Sequence, residues 1–246
     1  MRILEWNVNC AIGSKHGRQC LKSLFNFNKD PEYDILILTE FYRLEDYFEF
    51  EKNVRAWGYE PFITVEQNNR NDVFIAVLKE HKPKLKSGEL YRSDLPDFLV
   101  VSFETADKEF IVIGIRLFGG YNLMKSQFEK FLPLANEFKN VIIAGDFNNG
   151  KIHGEEKIYK KEEIDVLYKP YLQFEYNYHR LKLWFYENEF SMITPDHGVS
   201  YPYKPPYKGG SRIDHFSIKN IKIDDVLYLE TKLSDHNQLV GKLIID

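Results

Sequence analysis

Short polar motifs stand where apolar segments stop, from one end of this 246-residue chain to the other. Strand-like apolar runs over residues 1–4, 35–38 and 141–144 lead into the first three motifs. The five motifs are Trp6-Asn7-Val8-Asn9, Leu38-Thr39-Glu40, Gly145-Asp146-Phe147-Asn148, Ser211-Arg212-Ile213-Asp214-His215 and Ser234-Asp235-His236. A buried strand that ends in Asn, Glu or Asp places that side chain at the rim of a sheet. If these rims meet, they form an oxygen-rich pocket suited to Mg²⁺ and phosphate chemistry.

The composition is that of a globular protein, with 43% apolar, 15% aromatic and 28% charged residues. No apolar run approaches the roughly 20 residues that cross a bilayer, and the opening MRILEWNV reads as a strand rather than as a signal peptide. Cys10 and Cys20 form no CxxC pair, so we expect reduced thiols in a cytoplasmic protein. The net charge of −4 argues against bulk coating of nucleic acid, although a local basic groove remains compatible with it.

Strand signals recur along the whole chain, with helical patterns between some of them. The predicted strands cover residues 1–8, 34–40, 60–65, 72–78, 98–105, 109–117, 141–145, 191–194, 213–218, 226–230 and 238–245. The predicted helices are 19–28, 44–57, 123–138 with an interruption at Pro133, and 168–188 with a break at Pro170. Without strict βαβ alternation, this mixture predicts the α+β class, with mixed sheets packed face to face and helices outside. Because residues 7 and 236 must meet to form one site, we expect a single domain over 1–246.

Carboxylate and carboxamide side chains carry the strongest chemical signal. In the Gly145 motif, the glycine permits a close turn, and Asp146 and Asn148 can then point the same way while Phe147 turns into the core. Such a pair can hold an attacking water or a metal-bound oxygen, but the same residue types also make ordinary turns. Glu40, after a buried strand, is either a Mg²⁺ ligand or the first solvated residue.

Asp214 and His236 offer acid–base chemistry. Strand alternation would place Arg212 and Asp214 on one face and His215 on the other, where we interpret it as structural. A buried Asp214 needs a partner, which is either Arg212 or a catalytic histidine that it orients. His236 has the side chain whose ordinary pKa suits proton transfer near neutrality, and the adjacent Asp235 could reach a metal or its waters.

In this order, the motifs resemble the endonuclease/exonuclease/phosphatase superfamily, whose pattern runs Asn, Glu, Gly-Asp-x-Asn, Arg-x-Asp and Ser-Asp-His. All five blocks are present, spanning residues 7 to 236. The resemblance implies a four-layer α/β/β/α sandwich of two packed mixed sheets flanked by helices, the DNase I-like fold, with the site at one edge of the sheets. It also implies hydrolysis of phosphate esters that depends on Mg²⁺, or on Mn²⁺, with in-line attack by an activated water.

The resemblance further implies a role for each matching residue. Asp146 looks like the residue that orients or deprotonates the attacking water, with Asn148 on the phosphate. Asp214 looks like the partner of His236, which would stabilise the charge of the phosphorane. Whether Asp146 or His236 is the general base stays open. The residues that look like metal-site residues are Asn7, Glu40 and Asp235.

One position departs from the family pattern. Many members carry His or Tyr in the strand that precedes Gly-Asp-x-Asn, whereas here the nearest polar residue is Arg116, with Tyr121 second. Arginine can bind a phosphate with two parallel hydrogen bonds, but it is a poor proton donor because its pKa stays above about 12. The leaving-group acid is therefore left open, and a surface charge at a strand edge is the plain alternative for Arg116.

The loop over residues 201–212 mixes tyrosines with basic residues and leads into the Asp214 motif. Aromatic rings stack on bases and cations bind phosphates, so this composition suits a nucleic-acid lip, although it also suits a packed loop. The predicted substrate-binding residues are Asn9, Tyr203, Lys208 and Arg212. The first hypothesis is a nuclease acting on DNA or RNA. The alternatives are a phosphomonoesterase or a small-molecule or lipid phosphodiesterase on the same site, and a non-catalytic binding protein. No protein partner is indicated, and we expect a monomer.

Overall fold

Two mixed β-sheets pack face to face in the computed structural model of the chain. The structure describes residues 1–9, 30–41, 47–64, 72–87, 97–117, 121–152, 170–203 and 209–245. The predicted helix over 19–28 and the predicted substrate residue Lys208 lie outside these ranges. None of the described helices is long and apolar enough to cross a membrane.

The first sheet holds both chain ends of the described structure. Its strands, in spatial order, are β12 (Lys222–Leu229), β13 (Gln238–Ile244), β1 (Arg2–Asn7), β2 (Ile35–Phe41), β4 (Asp72–Leu78) and β3 (Tyr59–Ile63). Strands β1 and β2 run parallel, and the other pairs are antiparallel. The carboxyl ends of β1 and β2 therefore reach the same edge of the sheet.

The second sheet repeats this arrangement around another parallel pair. Its strands, in spatial order, are β10 (Tyr201–Pro202), β11 (Gly210–Lys219), β8 (Val141–Ile152), β7 (Lys108–Arg116), β6 (Asp97–Thr105) and β5 (Lys84–Ser87), while β9 (Ser191–Ile193) also pairs with β11. Strands β7 and β8 are parallel, with Arg116 opposite Asp146 in register. The sequence pattern did not predict β5 or β10, both of which are short edge strands of four and two residues.

Apolar side chains fill three layers. The layer between the sheets joins residues of both, such as Ile37 and Val112, each fully buried. The described α-helices cover the outer faces: α1 (Tyr47–Ala56), α2 (Tyr121–Asn136) and α3 (Pro170–Glu187). Val54 of α1 packs on the first sheet, and Phe128 and Phe185 pack together on the second. At roughly 1.5–3 kcal/mol for each fully buried large apolar side chain, these layers hold the two sheet edges in a fixed relation.

The layer order is therefore helix, sheet, sheet, helix, which confirms the predicted α+β sandwich.

Two proline signals have local explanations. Helix α3 begins at Pro170, where a missing N–H costs nothing because the first N–H groups of a helix have no partner inside it. Helix α2 passes Pro133 and ends three residues later at Asn136.

Candidate active site

The polar motifs converge at one edge of the sandwich. Asn7 ends β1 and Glu40 lies near the end of β2, while Arg116 ends β7 and Asp146 stands beside it on β8. Each of these strands belongs to a parallel pair, and side chains at the carboxyl ends of such pairs line a common crevice. Asp214 joins them because β11 pairs with β8 in the register Asp214 to Asp146.

Local backbone geometry turns two of these side chains into the site. Glu40 has a φ of 49° at a register shift between β2 and β4, and Asn148 has a φ of 50°. Positive φ is uncommon outside glycine and is stored where the surrounding structure enforces it, often at functional sites. Gly145 is required by a close approach, since a Cβ at this position would lie 1.7 Å from the carbonyl oxygen of Ile115.

Asp146 is the centre of a hydrogen-bond network. Asn7 Nδ2 donates to its Oδ2 at 3.0 Å, and the Asn148 backbone N–H donates to its Oδ1 at 2.8 Å. Asn148 Nδ2 also reaches Oδ2, at 3.1 Å, and donates to the carbonyl of Leu117 at 2.6 Å. Burial and then the charge of Asp214 raise the pKa of Asp146 to about 7, although His236 and Arg116 act in the opposite direction. Asp146 is thus a fixed carboxyl group that can exchange a proton near neutral pH.

Asp214 and His236 form a buried acid–imidazole pair. Asp214 Oδ2 lies 2.9 Å from His236 Nδ1, and the two residues are 0% and 6% exposed. Burial alone would lower the pKa of His236, but the charge and hydrogen bond of Asp214, together with Asp146, raise it to about 9. The imidazole is therefore cationic at neutral pH. Trp6 Nε1 donates to the His236 carbonyl at 3.0 Å, which fixes the loop that carries the imidazole.

Glu40 and Arg116 form a second charge pair across the two sheets. Arg116 Nε and Nη2 lie 3.0 and 2.8 Å from the same Glu40 oxygen, Oε1. Burial raises the pKa of Glu40 in isolation, but Arg116 and a hydrogen bond from Asn7 outweigh this and lower it below its usual range. Glu40 is consequently ionised in the site.

The donor chemistry fits a hard divalent cation. Glu40 supplies an ionised carboxylate and Asn7 supplies Oδ1, and the predicted ligand Asp235 follows Ser234 in the loop that is tied to Asn7. Asn7 Oδ1 accepts from the Asn9 N–H at 2.9 Å, which aims the amide. Ser234 Oγ donates to the Asn7 carbonyl at 2.7 Å and ties the loop of Asp235 to the end of β1. Oxygen ligands of this kind are those that Mg²⁺ takes in proteins.

A second set of ligand atoms lies deeper in the site. One ligand atom from each of Asp146, Asp214 and His236 lies within 4.8 Å of the others. This set already contains its own cation, because His236 is protonated at neutral pH between the two carboxylates. The side of the pocket that carries Asn7 and Glu40 is therefore the better candidate for a metal.

The predicted substrate residues are placed differently from one another. Asn9 is exposed beside Asn7, with a φ of 52°. Tyr203 lies edge-on to Tyr201, with ring centroids 6.4 Å apart. Arg212 is only 3% exposed, and its Nε and Nη2 donate to the carbonyls of Gly198 and Asp196 at 2.7 and 2.6 Å. The placement of Arg212 supports a role in holding the 196–198 loop rather than the expected substrate contact.

The β11–β8 ladder is irregular between Arg212 and Asp214. Two residues of β11 stand there opposite five residues of β8, and a Cβ on Gly150 would lie 1.5 Å from the Arg212 carbonyl oxygen. Of the two partners that the sequence offered for Asp214, the structure places His236 against its carboxylate. His215 is fully buried and bonds Thr194 Oγ1 and the Asn149 carbonyl, in keeping with the structural interpretation.

Sequence reasoning missed several residues that support the site. Ser200 Oγ accepts from the backbone N–H groups of Ile213 and Asp214 at 2.8 and 3.2 Å, and Tyr228 Oη donates to the Asp214 carbonyl at 2.7 Å. The ring of Tyr201 lies 5.1 Å from that of His236. Ser200 and Tyr228 carry no local signal, because their partners lie in other segments of the chain, but the position of Tyr201 in the aromatic loop was a usable signal.

Glu5 is a further carboxyl group that the sequence motifs did not indicate. It is fully buried on β1, where Thr39 Oγ1 donates to its Oε1 at 3.3 Å. Burial, followed by the charges of Asp214 and Asp146, raises its pKa well above the usual range, which favours the protonated form. An acid two residues before Asn7 would read in sequence as a surface residue of an alternating strand.

The chain is similar to known proteins in its structure and not in its sequence. No protein-family model matches the chain, and no curated protein matches it in sequence. An endonuclease/exonuclease/phosphatase family protein from Leptotrichia buccalis superposes with a TM-score of 0.66 at 11% identity, covering 100% of both chains. A Neisseria 3′ phosphatase bound to a product DNA hairpin has a TM-score of 0.62 at 17% identity, again covering 100% of both chains.

A third similar structure, the nitrophorin from Cimex in its ferrous NO complex, covers 98% of this chain and 96% of its own, with a TM-score of 0.59 and 13% identity. The chain therefore shares the DNase I-like fold of these structures, which is the fold that its motifs predicted. At these identities the likeness is one of fold alone, so activity has to be argued from the site.

Proposed function

We propose that the protein is a metal-dependent phosphoric ester hydrolase, with nucleic acid as the first candidate substrate. The observation that carries this proposal is the juxtaposition of Asp146, which exchanges a proton near neutrality, with the pair of Asp214 and the cationic His236. Hydrolysis of a phosphate ester requires one side chain that accepts a proton from the attacking water and another that places a fixed positive charge beside the phosphate.

The protonation states favour one assignment of the roles that the motifs left open. Asp146 is the better general base, because a carboxyl group with a pKa of about 7 is partly ionised at neutral pH and can accept a proton from water. His236 already carries its proton and can stabilise negative charge that develops on the phosphate oxygens. Asn148 is held against Asp146 by two hydrogen bonds, which suits it to orient either the water or the phosphate.

The proposed metal-site residues are Asn7, Glu40 and Asp235. Mg²⁺ is the expected ion and Mn²⁺ a substitute, because both prefer carboxylate and amide oxygens. When bound, such an ion supplies Lewis-acid polarisation of a phosphate oxygen. The protein's own contribution is the hydrogen bond from Asn7 that holds Asp146 in place, and the Ser234 link that fixes the loop of Asp235 and His236.

Aromatic residues beside the imidazole favour a nucleotide unit in the substrate. Tyr201 packs beside His236 and continues into Tyr203, so a base next to the scissile phosphate would find a ring to stack on. Asn9 is exposed two residues beyond Asn7 and can donate or accept hydrogen bonds. The Neisseria phosphatase of the same fold was captured with a DNA hairpin, which adds support from a neighbour.

The experiment is a cleavage assay on plasmid, single-stranded DNA and RNA with Mg²⁺ or Mn²⁺, repeated with chelator. Asp146→Asn, prepared in parallel, is the matched control against a contaminating nuclease, because it removes the base and keeps the side-chain shape. We expect cleavage of at least one polymer that stops with chelator and in the variant. No cleavage of any polymer would refute a nuclease.

A phosphomonoesterase acting on DNA ends or on small esters is the second candidate. It is favoured by the Neisseria neighbour, which is a 3′ phosphatase, and by the net charge of −4, which is unusual for a protein that tracks long polymers. Release of inorganic phosphate from 3′-phosphorylated oligonucleotides or from sugar phosphates, without cutting of internal bonds, would select it. A binding protein without turnover would show neither activity.

A further inference from the structure

Arg116 and Glu40 contact each other at a place where each has a second possible partner. A metal ion could bind Glu40, and a phosphate could bind the guanidinium of Arg116. Two nitrogens of Arg116 lie on one oxygen of Glu40, Nε at 3.0 Å and Nη2 at 2.8 Å. The two side chains are only 14% and 15% exposed, so water screens this pair weakly. Glu40 therefore has a full positive charge beside it before any divalent cation arrives.

Other carboxylates hold the guanidinium in the same place. Asp97 stands opposite Arg116 across the β6–β7 ladder, and Asp146 stands opposite it across β7–β8. Their charges act on Arg116 in addition to that of Glu40. The guanidinium can consequently leave Glu40 without losing every negative neighbour, provided that another anion replaces the lost contact.

We propose that Arg116 is a displaceable counter-ion: it neutralises Glu40 while the divalent cation is absent, and transfers to the phosphate of the substrate when the cation takes Glu40. The inference rests on the proposed function, because it assumes that Glu40 is a metal-site residue. A divalent cation and a guanidinium repel each other strongly when they share one carboxylate oxygen in a poorly screened site. A planar guanidinium also matches two phosphate oxygens, which makes the phosphate the natural second partner.

Such a counter-ion links the two ligands of the site. Breaking the Arg116–Glu40 pair weakens cation binding when no phosphate is present, and a bound phosphate restores the loss by accepting the guanidinium. Linkage then requires the cation to strengthen phosphate binding by the same factor. Arg116 would thus be a positioning residue that couples metal and substrate, a use distinct from the proton donor that its position suggested.

The test measures Mn²⁺ binding, not turnover. Calorimetry, with electron paramagnetic resonance of free Mn²⁺ as a second readout, compares the wild type with Arg116→Gln and Arg116→Lys in the absence of phosphate. We expect Arg116→Gln to bind Mn²⁺ about tenfold tighter, within the usual range of such coupling factors, and Arg116→Lys to stay close to the wild type because it keeps the charge. Inorganic phosphate should tighten Mn²⁺ binding in the wild type and lose that effect in Arg116→Gln.

The wild type provides an independent measurement if a variant does not fold. The Nε–H resonance of Arg116, assigned by its loss in Arg116→Lys, should move out of its hydrogen-bonded position when Mg²⁺ is added. Equal or weaker Mn²⁺ binding in folded Arg116→Gln, or an Nε–H resonance that Mg²⁺ leaves unchanged, would overturn the inference and leave the proposed function intact. If neither the wild type nor Glu40→Gln binds Mn²⁺, the metal site of the proposed function is itself wrong.

Discussion

Removing the carboxylate of Asp214 should convert His236 from a cation to a neutral imidazole at working pH. The pKa of His236 is about 9, against an ordinary value of 6.5. At about 1.4 kcal/mol for each pKa unit, this difference corresponds to roughly 3 kcal/mol in favour of the charged form. Burial acts in the other direction, so Asp214→Asn should bring the pKa of His236 to 6.5 or below.

The consequence is visible in the pH profile of kcat/KM. The wild type should be active between an acid limb set by Asp146, near 7, and an alkaline limb set by His236, near 9. In Asp214→Asn the alkaline limb should move down to 6.5 or below, and the acid limb should also move down because the charge of Asp214 helps to raise the pKa of Asp146. At pH 8.5 only about 1% of His236 would then be charged, so kcat/KM should fall about a hundredfold or more. The histidine titration itself can be followed by NMR, without substrate.

Tyr228→Phe is the matched control, because it removes the hydrogen bond to the Asp214 backbone carbonyl and keeps the carboxylate. It should retain the alkaline limb near 9. The same ionisation of His236 should also appear in the pH dependence of the free energy of unfolding of the wild type. A raised His236 pKa contributes stability that is full below 6.5 and lost as the pH rises through 9. A His236 that still titrates near 9 in Asp214→Asn would refute this reasoning.

Three further predictions concern the base, the backbone and the aromatic rim. Asp146→Asn should lower turnover at least 10²-fold. Above pH 7 it should not lower the melting temperature, because it removes a carboxyl group whose ionisation is unfavourable when buried. A large loss of stability would contradict this. Gly145→Ala should lower the free energy of unfolding in urea by more than about 3 kcal/mol, because its Cβ meets the Ile115 carbonyl. Gly198→Ala, with a φ of +77° and only ordinary van der Waals contacts, should lower it by about 1–2 kcal/mol. Tyr201→Ala should raise KM for single-stranded DNA about tenfold, the scale of one lost stacking contact, and Tyr201→Phe should not; equal KM values would exclude stacking there.

The fold was predictable because its signals are local. Apolar runs with turn residues on either side mark most strands, and most of these end where the structure ends them to within a few residues. The parallel pairs β1–β2 and β7–β8 then bring Asn7, Glu40 and Asp146 to one edge without further information.

What could not be predicted depends on irregularities and on distant partners. Strand β8 carries three extra residues between the partners of Arg212 and Asp214, and such an irregularity has no reliable sequence signature. Arg212 reads as a substrate contact because exposed arginines are common, yet its hydrogen bonds go to carbonyls 14 and 16 residues away. Glu5 is hidden for the same reason, since only the approach of Asp146 and Asp214 from the second sheet reveals its environment.

The charges of the completed site explain why these features occur together. Burial and the charges of two neighbouring carboxylates raise the pKa of Glu5 and so favour its neutral form. The remaining acids of the motifs are Glu40, Asp146, Asp214 and Asp235. Arg116 and the protonated His236 offset two of these four charges when all are ionised. The excess equals the charge of one divalent cation. Asp146 is the fully buried acid outside the two ion pairs, and burial and the charge of Asp214 raise its pKa to about 7, so it can hold a proton near neutrality.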